Sequence, residues 1–414
     1  MKKLLFAAVA AVVFAASPLA GWGVTVDVTK VQQRYPWNGL VDIDYTITHA
    51  EGEEALDPLK YSVEITVVNC DETPAVTNVA HVFRQGTLPV SDGTHRVTWD
   101  ANAEGINFKS QSVKMLAEIV HYAEKYMVID VSAGPGDDAV YPVTYLHGAP
   151  EGGFNTEEYK GDKIALRLIP PGSFVMGSPT TETGRVPAGE VQHAVAISKP
   201  FYIGVFEITR MQYINVMGGT TPTGPYCPKG SVSYNTIRGT ANKTTHLNDW
   251  PWTSEVAATS FMGKLRAKCK EWDGEDVAGL FDLPTEAQWE YACRAGTTGA
   301  YNGESLSQLG RYTNSGTSGT AIVGSYKANA WGLYDMHGNV FEWCLDWYQE
   351  DVQNIKNPSL DPVGAESGSS RVARGGCSWS QAKDCRSARR YSRDPTNPST
   401  GSDGFGFRLS RTLP

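Results

Sequence analysis

Apolar and polar residues alternate along 24–29, 40–47, 61–68, 93–99, 113–122 and 126–131. A period of two places one face of a segment on a core and the other in water, so each run predicts a β-strand. Turn-forming residues separate the runs at 69–74, 91–93 and 134–138. Short strands at this spacing predict an all-β domain over 24–147, of the immunoglobulin-like sandwich type.

Residues 148–162 are rich in glycine, proline and charge and read as a linker. Beyond them the pattern is mixed. Strands are predicted at 163–169, 173–178, 191–197 and 200–208, with Pro170-Pro171-Gly172 turning the chain between the first two. Thr209 is placed to cap a short helix running to about Met217, and Gly218-Gly219 ends it. Ser254 is expected to open a second helix whose periodic face carries Glu255, Ala258, Phe261, Met262, Leu265 and Cys269. Thr285 caps a third, with Gln288 as capping-box partner and Gly296 closing it. The stretch 218–250 has little periodicity, which inside a compact domain points to a bound ion or a function. The expected fold of 163–414 is mixed α/β with much irregular backbone.

At the N-terminus, Lys2 and Lys3 precede an unbroken apolar run over 4–16 and a small-residue segment. This predicts a signal peptide over 1–23 of bacterial type, and export to the periplasm, the cell surface or the medium. No later stretch approaches transmembrane length. The formal net charge of −9, without a basic tail, argues against nucleic acid as a partner.

Candidate chemistry concentrates near the C-terminus. In 329–348, three tryptophans and two tyrosines are interleaved with Asp335, Asn339, Glu342 and Asp346. Carboxylates among aromatics need compensation when buried. A hard cation held by oxygen ligands would supply it, and so would arginines or backbone amides. Arg371, Arg374, Arg386, Arg389, Arg390, Arg393 and Arg408 form a cationic concentration in an acidic chain. The expected partners are Glu286, Glu290, Glu342 or Asp346, which suit the planar guanidinium fork. Of the seven cysteines, Cys70 lies in the first domain and the other six lie beyond residue 220. Export makes disulfides permissible, and no Cys-x-x-Cys occurs. His81, His95, His121 and His147 are scattered, and His193, His246 and His337 show no metal-ligand spacing.

Six segments together resemble the formylglycine-generating enzyme (sulfatase-modifying factor) family over roughly 160–414. They are Ile169-Pro-Pro-Gly-Ser-Phe-Val-Met-Gly-Ser, Lys199-Pro-Phe-Tyr-Ile-Gly-Val-Phe-Glu-Ile-Thr, Asp282-Leu-Pro-Thr-Glu-Ala-Gln-Trp-Glu-Tyr-Ala-Cys-Arg-Ala-Gly, Trp331-Gly-Leu-Tyr-Asp-Met-His-Gly-Asn-Val-Phe-Glu-Trp, Arg371-Val-Ala-Arg-Gly-Gly and Gly406-Phe-Arg. The resemblance implies a fold related to C-type lectins. It also implies a structural calcium site, with Asp335 and Glu342 offering side-chain oxygens and Gly338 and Val340 backbone carbonyls. By the same resemblance Cys293 and Cys385 match a structural disulfide, while Leu409 stands where the usual partner of Cys269 would be. Cys344 and Cys377 are then left as a replacement bridge.

Family oxidases hold copper between two cysteines lying after the Gly-Gly turn, ahead of a Cys-Arg-x-Ala-Arg motif. Here the intervening residues 378–384 read Ser-Trp-Ser-Gln-Ala-Lys-Asp and contain no thiol. Copper(I) wants two soft thiolates facing each other. The reading that follows is a noncatalytic recognition or structural module for protein, peptide or glycan. The alternative is a copper- and oxygen-dependent oxidase of sulfatases with a divergent site at Cys344 and Cys377. A third reading is an accessory factor that binds a sulfatase Cys-x-Pro-x-Arg segment without oxidising it.

Overall fold

The structure is a computed structural model that describes residues 24–33, 40–50, 61–69, 91–100, 113–121, 125–146, 148–240, 255–270, 281–313, 319–352, 359–397 and 404–412. The signal-peptide segment, Cys70, His81, His147 and His246 lie outside them. The chain divides into two compact units, Met1–Glu124 and Lys125–Pro414.

The first unit contains β1 (Val24–Gln33), β2 (Leu40–His49), β3 (Tyr61–Asn69), β4 (Gly93–Asp100) and β5 (Val113–His121). β1, β2 and β4 form one antiparallel sheet, with β2 central, and β3 pairs antiparallel with β5. Alternation places Val24, Val26 and Val28 of β1, and Val41, Ile43, Tyr45 and Ile47 of β2, in the core.

The second unit contains fourteen of the strands among the described residues. They are β6 (Tyr126–Asp130), β7 (Tyr141–Leu146), β8 (Lys163–Ile169), β9 (Gly172–Met176), β10 (His193–Ile197), β11 (Phe201–Gly204), β12 (Cys269–Lys270), β13 (Phe281–Asp282), β14 (Phe341–Trp347), β15 (Ser359–Leu360), β16 (Arg371–Arg374), β17 (Tyr391–Arg393), β18 (Phe405–Gly406) and β19 (Ser410–Thr412). Its helices are α1 (Glu157–Gly161), α2 (Arg210–Met217), α3 (Tyr234–Arg238), α4 (Phe261–Lys268), α5 (Glu286–Arg294) and α6 (Leu306–Leu309). A seven-stranded sheet runs β12-β7-β6-β8-β11-β19-β13, a four-stranded sheet runs β17-β16-β14-β18, and β15-β10-β9 form a third.

The sequence-based domain boundary at 147 differs from this division. β6 pairs with β8 from Tyr126↔Arg167 to Asp130↔Lys163, so β6 and β7 belong to the second unit's main sheet. The segment expected as a linker carries α1 and joins two strands of that sheet. Alternation marks a strand but does not say which sheet receives it.

Two helix starts follow the expected chemistry. The Thr209 and Thr285 hydroxyls accept from the Gln212 and Gln288 amides, and each glutamine side chain returns a bond to the cap's own amide. The helix expected from Ser254 begins later, at Phe261, with Ser260 as its cap. A Cβ on Gly263 would lie 2.1 Å from the Ala257 carbonyl, so residues 257–258 cross the helix's first turn instead of extending it.

Every residue of α5 is buried. Its Ala287, Trp289, Tyr291 and Cys293 share a core cluster with Ile203, Met336, Cys344 and Val372, which fixes α5 against β14 and β16.

Candidate functional site

All seven residues of β14 are buried, including Glu342 and Asp346. Glu342 receives a two-pronged bond from Arg408, Nε to Oε2 at 2.6 Å and Nη2 to Oε1 at 2.6 Å. Trp289 Nε1 donates to the same carboxylate at 2.7 Å. The spare Arg408 donors reach the Gly204 and Tyr334 carbonyls at 2.8 and 2.9 Å. Arg390 grips Glu286 in the same way, at 2.6 and 2.9 Å. Glu290 is held by Arg374 and by Arg294. Three of the four carboxylates expected to meet arginines therefore do. Asp346 instead accepts from the Glu286 amide at 2.7 Å, at the N-terminus of α5.

The expected calcium site is not formed. Among the described residues no group of three or more His, Cys, Asp or Glu side chains is placed to hold a metal ion. The Asp335 and Glu342 side chains expected as ligands are engaged elsewhere. Both Glu342 oxygens face Arg408, so a guanidinium supplies the positive charge that a cation was expected to bring. Asp335 Oδ2 accepts from the Gly324 amide at 2.7 Å. The Val340 amide donates to Glu207 at 3.1 Å. Gly338 has φ +131, and a Cβ there would lie 2.1 Å from the Arg311 carbonyl, so this residue serves a close backbone crossing.

Glu207 is the acid that sequence reasoning passed over. It sits in the apolar run after β11, and the Asn339 side chain donates to it at 2.7 Å. A lone acid inside an apolar run was the available signal. Burial, then the neighbouring Asp335 and Glu342, raise its carboxyl well above the ordinary range. Burial likewise raises Asp335 to about 6. One arginine thus stands among three buried carboxyls, two of which are shifted toward the neutral form.

The expected disulfides are also absent. Cys227, Cys269, Cys293, Cys344, Cys377 and Cys385 are all free thiols. Cys293 Sγ lies 3.7 Å from Ser387 Oγ and 3.8 Å from His337 Nε2. Cys385 packs instead against Gly376, where an added Cβ would stand 2.6 Å from its sulfur. Cys344 lies in the α5 core cluster, whereas Cys377 turns to Ser380 Oγ at 3.2 Å within its own loop. The bridges Cys293–Cys385 and Cys344–Cys377 are therefore corrected to separately packed thiols. Copper ligation by Cys344 and Cys377 is corrected with them.

Burial pushes the Cys293 thiol up to about 12 and Cys377 up to about 11, and raises Cys344 and Cys385 as well. Buried neutral thiols react slowly. In the native protein Cys293, Cys344, Cys377 and Cys385 are expected to resist iodoacetamide, while Cys227 labels first. In urea without reductant all should be carboxamidomethylated. A mass spectrum lacking modification at Cys293 and Cys385 under those conditions would contradict the thiol assignment.

His337 has both ring nitrogens committed, Nδ1 to the Cys385 carbonyl at 2.8 Å and Nε2 to the Asn302 amide at 3.1 Å. These bonds assign the proton to Nδ1, and burial lowers its pKa to about 4. The ring is a neutral cross-brace.

The loop 378–384 is compact. The Ser378 amide donates to the Asn339 carbonyl at 2.9 Å, and a single 3-10 turn spans Ala382–Asp384. Trp379 is 53 % exposed, the one aromatic among the large exposed apolar residues described. Its ring meets Phe341 edge-on at 6.1 Å, and Phe341 stacks on Tyr391 and Phe405 at 4.6 and 5.1 Å.

Comparison with known proteins gives this geometry a family. The chain is 38 % identical over 251 residues to the serine/threonine-protein kinase pkn1 of Chlamydia pneumoniae, covering 59 % of this chain and 38 % of that protein. It is 35 % identical over 177 residues to the formylglycine-generating enzyme of Thermomonospora curvata, covering 38 % of this chain and 53 % of that protein. The chain thus spans about half or less of these curated relatives. Among solved structures, Treponema denticola variable protein 1 is similar at 25 % identity and a TM-score of 0.47, covering 61 % of this chain and 96 % of that one. Residues 155–413 match the family described as the sulfatase-modifying factor enzyme 1-like domain. That match takes in more than half of the chain and all of the buried arginine–carboxylate network, and the protein belongs to this formylglycine-generating enzyme-like family.

Proposed function

We propose that this protein is an exported recognition or structural module that uses the formylglycine-generating enzyme fold without its oxidase chemistry. The observation that carries the proposal is the loop 378–384, which offers no thiol. Copper- and oxygen-dependent oxidation of a substrate cysteine needs two opposed soft ligands on the copper, and serine, glutamine and lysine do not substitute for them. The exposed Trp379, backed by the Phe341–Tyr391–Phe405 stack, supports recognition through that same loop. Exposed aromatics with a polar rim suit protein, peptide or glycan ligands.

Export follows from the Lys2-Lys3 and apolar 4–16 pattern, with the periplasm, cell surface or medium as destinations. An immunoglobulin-like nature for residues 24–121 and a distant C-type lectin relation for the second unit complete the reading. The first is supported by strand alternation, and the second by the loop-rich second unit.

The test is direct. Reduced protein is loaded with Cu(I) under air and incubated with a peptide containing Cys-x-Pro-x-Arg. The expected mass spectrum shows no aldehyde product. Aldehyde formation that disappears in Cys377→Ser would overturn the proposal.

A further inference from the structure

A cavity of about 60 Å³ lies within the second unit where β10, the start of α5, the end of β14 and the approach to β17 meet. Met176, Val191, Trp347 and Val352 give it apolar walls. Five ionisable side chains other than Arg390 line it, and the hydrogen-bond accounting separates them. Glu286 is satisfied by Arg390, Glu290 by Arg374 and Arg294, and Glu190 by Arg386. Asp346 is 3 % exposed and uses only Oδ2, which accepts from the Glu286 amide. Its Oδ1 has no hydrogen-bond partner among the described residues. His193 is 8 % exposed, and its Nδ1 faces the Val191 carbonyl at 2.9 Å. With the proton on Nδ1, Nε2 is an acceptor that also lacks a partner.

Two acceptors on one small cavity, against one unpartnered donor on its wall, Trp347 Nε1, call for a ligand that brings more donors than acceptors. The Arg390 guanidinium nitrogens are turned to Glu286 and to the Gln349 and Gly189 carbonyls. A metal ion is disfavoured because no three ligating side chains converge among the described residues. The volume holds more than one water-sized group.

We infer that this cavity binds a small primary ammonium, with Asp346 and His193 accepting its N–H donors and the alkyl portion lying against Met176, Val191 and Trp347. Arg390 and Arg371 act on Asp346 through space but do not hydrogen-bond it, and an ammonium supplies the direct cationic partner. The Asp346 carboxyl is raised to about 7 by burial and by Glu286, an unfavourable state that a bound cation relieves. Cys344 on β14, Arg371 and Arg374 on β16, Glu286 and Glu290 on α5, Glu190, His193 on β10 and Arg390 are the other titratable or charged groups around it. This inference does not depend on the proposed function.

Isothermal titration of the full chain with methylammonium, propylammonium, Nα-acetyl-lysine amide and the neutral isostere 1-propanol tests it. One-to-one binding of an alkylammonium is expected, about tenfold weaker at pH 6 than at pH 8 as Asp346 gains its proton. Propanol should give no saturable heat. Binding of the lysine derivative as tightly as propylammonium would identify a peptide side chain as the source, and selective binding of the simple amines a free small molecule. Asp346→Asn should abolish binding, and Ala388→Leu, which fills the cavity from another wall, should weaken it at least tenfold. No saturable binding to the wild type at millimolar probe, equal binding of propanol, or unchanged binding across that pH range would overturn the inference.

Discussion

Replacing Arg408 with methionine is expected to lower the unfolding free energy of the second unit by about 3–5 kcal/mol at pH 7, the range for stranding a buried charge. Arg408 is fully enclosed, faces Glu342 directly and lies near Glu207 and Asp335. Without it Glu342 loses its paired cation in a dry site, leaving Lys160 to act on Asp335, and the Gly204 and Tyr334 carbonyls lose their donors. A loss of that size is a large share of the stability of an ordinary domain. Pairing the change with Glu342→Leu should recover only part of it, because Trp289 Nε1 then loses its acceptor. Urea unfolding followed by tryptophan fluorescence measures both. A loss below about 1 kcal/mol for the single change would mean that the network does not anchor the fold.

The second large effect is a pH dependence centred on Asp346. Its folded pKa is raised from 3.8 to about 7, so its contribution is fully present below the unfolded value and is lost as pH rises toward 7. Asparagine has no proton to bind yet can still accept from the Glu286 amide. Relative to Asp346→Asn, the wild type should therefore lose about 2–3 kcal/mol of stability between pH 5 and pH 7. Asp335 and Glu207, both raised, act in the same direction, whereas His337, lowered to about 4, loses stability as pH falls. Both proteins carry these groups, so the difference between their stability–pH curves isolates Asp346. Parallel curves over that interval would refute the assignment.

Local signals were legible in the sequence where a short motif dictates its own geometry. The Thr209 cap and the Thr285–Gln288 capping box needed only local residues, and both helices start where expected; the Gln212 half of a second box emerged only in the structure. The arginine–glutamate pairing was readable because an acidic chain with clustered arginines has little else to do with them. The calcium and disulfide expectations failed for a different reason. The disulfides came from motif positions in a resemblance, and the cation from those positions together with the carboxylates among aromatics; in both cases the space around the residues is decided by others far away in sequence. Arg408 lies 66 residues beyond the carboxylate it neutralises. Cys385 sits under Gly376 rather than facing Cys293, which no spacing rule reveals. Asp346 and His193 meet one cavity from strands more than a hundred and fifty positions apart in a single unit.

The placement of β6 between β7 and β8 has a practical consequence for anyone dissecting the protein. Cutting at residue 148, where composition invites it, would strip two strands and leave β8 from Lys163 to Arg167 with an open row of amides and carbonyls. Such rims recruit other chains. A fragment starting at 125 should elute as a single monomeric peak in size-exclusion chromatography, and one starting at 148 should run as aggregates.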